Sequence, residues 1–300
     1  MKVSIIIPSR HERFLGRTIQ SLLVNARGDI EILAVLDGYW PDPPLPEDPR
    51  LIQLHRGQWQ GMRPGINAAA EVATGDFLLK IDGHCDVAEG FDVELAKECE
   101  DDWLVVPRRY SLDPDKWCPD KTRPTVDAHY LSWPFARPGD KTCGLHGNVW
   151  AERAKARKDV LIDDEMSSQG SCWFMSRKHW QRLGPMEVHR YGTFAQEFQE
   201  LGNKTWLGGG RVAVNKRTWY AHLHKGKRFG TGYGFSNEQW DAWAVEKEKA
   251  RVETIRYWMH DEWKERKRNF AWLIEKFWPV PGWPEDWQAG GWELPIDGGR

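Results

Sequence analysis

The chain has 300 residues, of which 40% are apolar, and its formal net charge is -2. This apolar content supports a folded core in one large or two small domains and excludes a disordered chain. The near-neutral charge gives no overall attraction to nucleic acid or to an anionic membrane, although local basic patches stay open.

Cysteine usage and the start of the chain bear on its location. Five cysteines without a Cys-x-x-Cys pair argue against a disulfide framework and favour a reducing compartment. Cys143 and His146 would form half of a zinc site, but two further ligands at suitable spacing are missing. Strand-like residues begin directly at Lys2, and no run of 18 apolar residues follows. We therefore expect no membrane partner and a cytoplasmic location, which is the host cytoplasm if a phage encodes the chain.

Strand and helix signals alternate in the first part of the chain. Residues 3–7 form a continuous β-branched run, which is typical of a buried parallel strand. Patterns of helix over 13–25, strand over 31–37, strand over 51–55, helix over 63–73 and strand over 76–82 follow. This order predicts an α/β fold with a Rossmann-like, doubly wound, mostly parallel sheet. Ligands bind such sheets at the carboxyl ends of strands, where Asp37 and Asp82 stand.

The rest of the chain divides into three regions. Residues 101–167 show weak periodicity and are predicted to be an irregular insertion over the ligand edge of the sheet. The pattern then recovers as a strand and short helix over 172–184, a helix near 194–202 and a strand over 211–224. We expect one main domain over 1–236 and a helical, Trp-rich extension with a tail over 237–300.

The apolar strand that ends in IDGHCD carries the most informative chemistry. Strand residues two apart point to one face, which predicts that Asp82 and His84 can grip one cation. A carboxylate oxygen with an imidazole suits Mn²⁺, with Mg²⁺ as an alternative, better than Ca²⁺. For an isolated Asp-Gly-His the alternative stays open that Asp82 caps a turn and His84 is a surface histidine.

Several segments in order resemble a known family. VSIIIPSRHERFLGRTIQSLL, a strand ending in LDG, and GMRPGINAAAEVATGDFLLKIDGHCDVAEGF resemble the nucleotide-binding half of a GT-A glycosyltransferase of family 2. The Asp-x-His motif and the downstream EFQELGNKTWLGGGRVAVNKRTWYAHLHK resemble the polypeptide N-acetylgalactosaminyltransferases. The similarity covers residues 3–100 and 168–235, and we find none in residues 101–167 or after 235.

The resemblance implies a metal-dependent transferase that uses a nucleotide-sugar donor, with UDP as the expected nucleotide. His222 stands twelve residues after Gly210, where the resemblance places a third metal ligand beside Asp82 and His84. A divalent metal there would bridge the donor's two phosphates and act as a Lewis acid on the leaving group. By similarity, the nucleotide pocket and the diphosphate would be lined by Pro8, Ser9, Arg10, Glu12, Asp37 and Arg63. A structural role for Arg63, paired with an acid, is an equal alternative.

Two acids and a basic segment complete the implied site. Glu197 and Glu200 share a helix face, and the resemblance makes them candidate catalytic residues that orient sugar hydroxyls or accept a proton. The alternative is a solvated helix charge, and because a Glu-Asp pair is absent, inversion and retention both stay open. Lys225, Lys227 and Arg228 lie among glycines, which predicts either a mobile lid over the diphosphate or a plain surface loop.

The acceptor is the least determined part of this interpretation. Most tryptophans, such as Trp206, Trp219 and Trp258, fall at core positions. Stacking on sugars or bases is open for the remaining aromatic and basic residues of the insertion, Trp117, Trp133, Trp150, Arg108, Arg109, Arg123 and Arg137. A hydroxymethylated DNA base is therefore considered as acceptor beside a glycan or a protein hydroxyl.

A binding module and a nucleotidyltransferase are the alternatives to a glycosyltransferase. The sequence predicts no oligomeric state. A carbohydrate- or nucleic-acid-binding module without turnover would not need three metal ligands. A nucleotidyltransferase would be expected to carry a Gly-rich loop with Lys or Arg directly after the first strand, and PSRHERFLGR has no such loop.

Overall fold

The computed structural model describes residues 1–135, 144–230 and 232–289. Its strands are β1 (Lys2–Ser9), β2 (Asp29–Asp37), β3 (Leu51–Arg56), β4 (Phe77–Ile81), β5 (Cys85–Val87), β6 (Trp103–Asp113), β7 (Cys118–Pro119), β8 (His129–Leu131), β9 (Gly147–Val149), β10 (Ile162–Asp164), β11 (Cys172–Ser176) and β12 (Arg211–His222). Its helices are α1 (Leu15–Asn25), α2 (Met62–Val72), α3 (Phe91–Lys97), α4 (Ala151–Ala156), α5 (Arg177–Leu183), α6 (Val188–Tyr191), α7 (Glu197–Leu207), α8 (Gly226–Phe229), α9 (Asn237–Met259) and α10 (Phe270–Lys276).

Most of the strands form one mixed sheet in the order β10-β12-β6-β11-β4-β1-β2-β3, with β5 beside β12 and β7 beside β6. Strands β4, β1, β2 and β3 are parallel, as the alternating pattern predicts. Strand β1 is buried along its apolar run, since helix α2 packs against β1 and β2. The predicted α/β fold with a mostly parallel sheet is confirmed.

The middle of the sheet corrects one expectation. Strand β6 lies between β11 and β12, so residues 101–167 are not an irregular insertion throughout. The apolar run of β6 is interrupted by Pro107, which cannot donate to a ladder and hides the strand pattern. The partner strand accommodates Pro107 by a register shift between Asn215 and Trp219.

The C-terminal helices share the core of the sheet. Helix α9 begins at Asn237 behind a capping box of Ser236 and Gln239, and it packs against α6. Helix α10 packs against α7, and Trp283 in the following segment donates its indole N–H to the Leu131 carbonyl at 2.7 Å. The boundary at residue 237 coincides with the start of a helix and stays a prediction as a domain boundary.

Within the described ranges, no helix is both long enough and apolar enough to cross a bilayer.

Candidate functional site

A cavity of about 560 Å³ opens at the carboxyl ends of β1, β2 and β4. Strand β1 lies between the other two, so the chain continues to opposite sides of β1 at this edge. Such a switch point leaves a crevice between the loops that leave the strands. Asp37, the last residue of β2, and Asp82, directly after β4, both line the cavity, as the strand-end argument predicts.

The structure brings Asp82, His84 and His222 together at this cavity, with one ligating atom of each within 4.8 Å of the others. His222 Nε2 lies 3.1 Å from His84 Nε2 and 3.3 Å from Asp82 Oδ2. One carboxylate oxygen and two imidazole nitrogens at these separations suit a borderline divalent cation. The three residues therefore fit the metal that the sequence implies.

The backbone that positions these ligands differs from the predicted one. Asp82, Gly83 and His84 form a turn between β4 and β5, so strand alternation does not align their side chains. Instead, β5 pairs with β12 with Cys85 opposite His222, and the Leu223 N–H donates to the His84 carbonyl at 3.1 Å. Pairing of two distant strands therefore brings the imidazoles together.

The protonation states of Asp82 and His222 favour cation binding. Burial lowers the pKa of His222 to about 3, so its imidazole is neutral and can offer a lone pair at ordinary pH. Burial alone would raise the pKa of Asp82, but the Lys80 ammonium and the two imidazoles hold it far below its usual range. Asp82 therefore offers an anionic oxygen and His222 a neutral nitrogen, and neither group has to lose a proton before it binds a cation.

Glu12 fixes the orientation of His84. Its carboxylate lies 3.0 Å from His84 Nδ1 and accepts a hydrogen bond from Lys225 Nζ at 2.7 Å. A carboxylate on the far nitrogen of a ligating histidine sets the tautomer and leaves Nε2 for the metal. Glu12 lines the cavity as predicted, yet its carboxylate contacts His84 and Lys225.

Lys80 is a site residue that the sequence argument missed. Its buried ammonium donates to Asp82 at 2.7 Å and to Glu197 at 3.2 Å, and it also contacts the Gly170 carbonyl. Burial would lower the pKa of Lys80, but the two carboxylates raise it, so the ammonium stays charged. A lysine inside the apolar strand FLLKI was the available signal, because an interior strand position rarely takes a charge without a partner.

Glu197 faces the cavity, as expected for a group at the reacting centre. It begins α7 and is only 6% exposed, with its carboxylate bound by Trp173 Nε1 at 2.7 Å as well as by Lys80. Burial raises the pKa of Glu197, and the Lys80 ammonium and the Trp173 N–H offset only part of that increase. A buried carboxyl with a raised pKa in a cavity is a candidate for proton transfer.

Glu200 and Arg63 do not line the cavity, which corrects the expectation for both residues. Their side chains are fully buried and form an ion pair with one another. Glu200 also accepts from Lys204 at 2.7 Å, and Arg63 donates to the Ala195 carbonyl at 2.8 Å. Both groups are occupied inside the protein, so the structural alternative for Arg63 describes the geometry.

Residues predicted to bind the nucleotide also line the cavity. Pro8, Ser9 and Arg10 line it together with Asp37. The Asp37 carboxylate accepts the Gln60 and Gly61 N–H groups at 2.9 and 2.8 Å, which fixes the turn before α2. Gly61 has φ of 96°, and a Cβ there would lie 2.3 Å from Thr193, so this turn needs glycine.

The basic segment after β12 is divided between cavity and surface. Lys225 lines the cavity, whereas Lys227 and Arg228 are exposed and do not. Arg228 pairs with Asp115 at 2.9 Å on the outer surface. Of the three cations predicted to close on a diphosphate, only Lys225 lines the cavity.

The aromatic and basic residues of 101–167 do not form one groove among the described residues. Trp117 packs on Phe14, Trp133 packs on Trp283, and Trp150 packs on Tyr130. Arg108 donates to Asp127, Arg109 donates to Gln169, and Arg123 pairs with Asp120. Arg137 and Cys143 lie outside the described residues, so the structure does not bear on their roles.

Trp206 and Trp258 lie in the core, as predicted, whereas Trp219 is half-buried. The described cysteines, Cys85, Cys99, Cys118 and Cys172, form no disulfide with one another. This agrees with the argument against a disulfide framework.

Comparisons with known proteins agree with this geometry. The model of glycosyl transferase family 2 matches residues 4–184. Putative polypeptide N-acetylgalactosaminyltransferase 13 of Drosophila melanogaster is 26% identical over 247 residues, covering 74% of this chain and 42% of that protein. The chain therefore spans less than half the length of this curated relative.

The fold is shared by a solved structure. The crystal structure of GalNAc-T7 with UDP, GalNAc and Mn²⁺ superposes with a TM-score of 0.62 at 15% identity, covering 92% of this chain and 57% of that chain. S. aureus TarS gives a TM-score of 0.49 at 14% identity, covering 75% of this chain and 37% of that chain. Because the family model spans more than half of its residues, the chain belongs to glycosyl transferase family 2.

Proposed function

We propose that the protein is a metal-dependent glycosyltransferase that moves a sugar from a nucleotide-sugar donor, first of all a UDP-sugar, to a hydroxyl acceptor. The observation that carries this proposal is the cluster of Asp82, His84 and His222 at the cavity of the parallel strands. Family membership supports the reaction class, and the volume of the cavity suits a ligand of nucleotide size.

In this proposal Asp82, His84 and His222 hold a divalent cation, with Mn²⁺ the first candidate. A cation bound there offsets the negative charge of a departing nucleoside diphosphate. Lys225 supplies a further positive charge at the same side of the cavity, where Glu12 holds its ammonium. The Glu12 carboxylate therefore contacts both His84, a proposed metal ligand, and Lys225, whose charge is proposed to face the diphosphate.

The nucleoside is proposed to occupy the wall formed by Pro8, Ser9, Arg10 and Asp37. The Arg10 guanidinium lies 5.8 Å from the Trp59 ring centre and 5.2 Å from that of Phe235. Planar side chains and a guanidinium in this arrangement offer stacking surfaces to a base.

Glu197 is proposed to contact the reacting hydroxyls. Its carboxylate faces the cavity, and the Lys80 ammonium lies between it and Asp82. In its ionised form Glu197 can orient the acceptor hydroxyl and accept its proton as the new bond forms. Lys80 positions both carboxylates, which places the metal ligand and the proposed base on one support.

A donor screen tests this function. UDP-glucose, UDP-galactose, UDP-N-acetylglucosamine, UDP-N-acetylgalactosamine and GDP-mannose are incubated with the protein and Mn²⁺, and release of UDP or GDP is measured. We expect release from at least one donor, its loss with a chelator, and its loss in His222→Ala. The matched control is His260→Ala, an exposed histidine away from the cavity.

The outcomes of this screen separate the function classes. Metal-independent release, or equal release from His222→Ala and the parent, contradicts the proposed site. Binding of a donor without any release favours a module without turnover.

A further inference from the structure

A second cavity, of about 820 Å³, lies beside the first. Five residues line both cavities: His146, Phe194, Ala195, Gln196 and Gln199. The remaining walls come from residues 130–135, from Asn148, from helix α9 and from Pro281 and Gly282. Helix α9 and residues 281–282 lie after residue 184, where the family match ends, so this cavity is built partly by residues outside the matched range.

Gln196 marks the junction of the two cavities. It is 9% exposed, and its side-chain oxygen has no hydrogen-bond partner among the described residues. Its φ is 59°, in the left-handed region that a non-glycine residue seldom adopts. A buried, unpartnered amide oxygen on a strained backbone, next to Glu197, is unfavourable unless a ligand contacts it.

The walls of the second cavity have the chemistry of a saccharide site. Aromatic rings come from Tyr130, Trp133, Phe135 and Phe194, and neutral amides from Asn148, Gln196 and Gln199. Aromatic faces pack on the C–H face of a sugar ring, and an amide can both donate to and accept from sugar hydroxyls.

The charges of the cavity do not suit a nucleic-acid backbone. Two cations, Lys247 and Arg251, line it, and Arg251 pairs with Glu248. The Lys247 ammonium lies 3.8 Å from the Trp243 ring centre. A surface that binds several phosphates needs a row of cations, and the described residues of these walls carry one positive charge in excess.

We propose that the second cavity is the acceptor subsite and that it takes an oligosaccharide whose reacting hydroxyl reaches Gln196 and Glu197. The inference rests on the proposed function of the first cavity. In the transfer, the bond between the donor sugar and the diphosphate oxygen breaks, and the diphosphate keeps the electron pair. The acceptor oxygen bonds to the sugar carbon, and its proton passes to the Glu197 carboxylate.

Helix α9 offers a matched pair of variants that tests the subsite. Ala244 is exposed and lines the second cavity, whereas Ala242, two residues earlier on the same helix, is exposed and lines neither. Ala244→Trp fills the cavity without removing a buried side chain. Ala242→Trp adds the same indole outside it.

The acceptor probes are trisaccharides of glucose, mannose, galactose and N-acetylglucosamine, and a single-stranded oligonucleotide that contains 5-hydroxymethylcytosine. The measured quantity is transfer to each acceptor divided by donor hydrolysis in its absence. We expect transfer to a trisaccharide, a ratio at least tenfold lower in Ala244→Trp through a raised KM, and a ratio within twofold of the parent in Ala242→Trp. Trisaccharide binding by saturation-transfer NMR, without metal or donor, should weaken in Ala244→Trp alone.

Gln196→Gly is the second variant, because glycine adopts the left-handed backbone readily and the substitution removes the side chain that carries the amide. It should lower the same ratio while the protein stays as stable as the parent. An unchanged ratio in both Ala244→Trp and Gln196→Gly overturns the subsite, and transfer or binding to no trisaccharide, or to the oligonucleotide alone, overturns the saccharide assignment. Absence of donor hydrolysis in the parent contradicts the proposed function instead, so the two failures are distinguishable.

Discussion

Glu197 and Glu200 stand three residues apart on α7, yet their surroundings differ. Glu197 lines the cavity and shares Lys80 with Asp82, whereas Glu200 is enclosed by Arg63 and Lys204. Burial raises the pKa of Glu197; burial also acts on Glu200, but Arg63 and Lys204 outweigh it and lower its pKa. The pair teaches that a carboxylate enclosed by two cations away from the cavity supports the fold, while one that shares a cation at a cavity is available for chemistry.

The largest effect is expected from breaking the enclosed cluster. Glu200→Gln leaves Arg63 buried without its anion and Lys204 with Glu187 alone at 3.3 Å, and removing one partner of a buried ion pair costs about 3–5 kcal/mol. Urea unfolding should show this loss, while turnover per folded molecule stays within about twofold of the parent. Glu71→Gln, an exposed acid on α2, is the control. A stability equal to that of the parent would mean that this cluster does not support the fold.

Glu197→Gln should show the opposite pattern. Its carboxyl already favours the neutral form more than an ordinary glutamate does, and Lys80 keeps Asp82 as a partner. We expect a melting temperature within a few degrees of the parent and turnover lower by about a hundredfold, the scale of a general acid–base group. Donor-saturated steady-state kinetics and a thermal melt provide the two readings. Full activity in this variant would move the proposed base elsewhere.

A third carboxylate sharpens the comparison from outside the site. Glu31 is buried at the amino end of β2 and accepts from Ser4, Lys2 and Thr74. Burial would raise its pKa, but these hydrogen bonds lower it from 4.5 to about 2. Because the folded-state pKa is depressed, its stabilisation is present above pH 4.5 and is lost as pH falls toward 2.

Glu31→Gln should therefore cost about 2 kcal/mol near neutral pH, the usual scale for hydrogen bonds to a charged group. The difference in unfolding free energy between variant and parent should shrink steadily below pH 4.5. Urea unfolding at several pH values measures it. A difference that stays constant with pH would contradict the assigned shift.

The sequence predicted the parallel half of the sheet and the convergence of Asp82, His84 and His222 for identifiable reasons. Continuous β-branched runs identified the strands, and a strand end carrying Asp82 and His84 pointed to a ligand edge. The geometry that joins them to His222 depends on pairing of β5 with β12, which no local pattern carries.

Helix α7 and strand β6 were harder to read from the sequence, for two different reasons. Helix α7 is buried over its whole length, including Glu200, Asn203 and Lys204, so its polar residues resemble a solvated face in sequence. Pro107 hid strand β6, because a proline usually argues against an interior strand. Here the partner strand β12 shifts register next to Pro107. Partners from distant segments decide both cases.

The central claim is that Asp82, His84 and His222 bind a divalent cation, and calorimetric titration of UDP in the presence and absence of Mn²⁺ tests it most directly. The account predicts that Mn²⁺ strengthens UDP binding to the parent and to His260→Ala, and that His222→Ala loses at least tenfold of the Mn²⁺-dependent affinity. Equal affinity of His222→Ala and the parent for UDP with Mn²⁺ would contradict it.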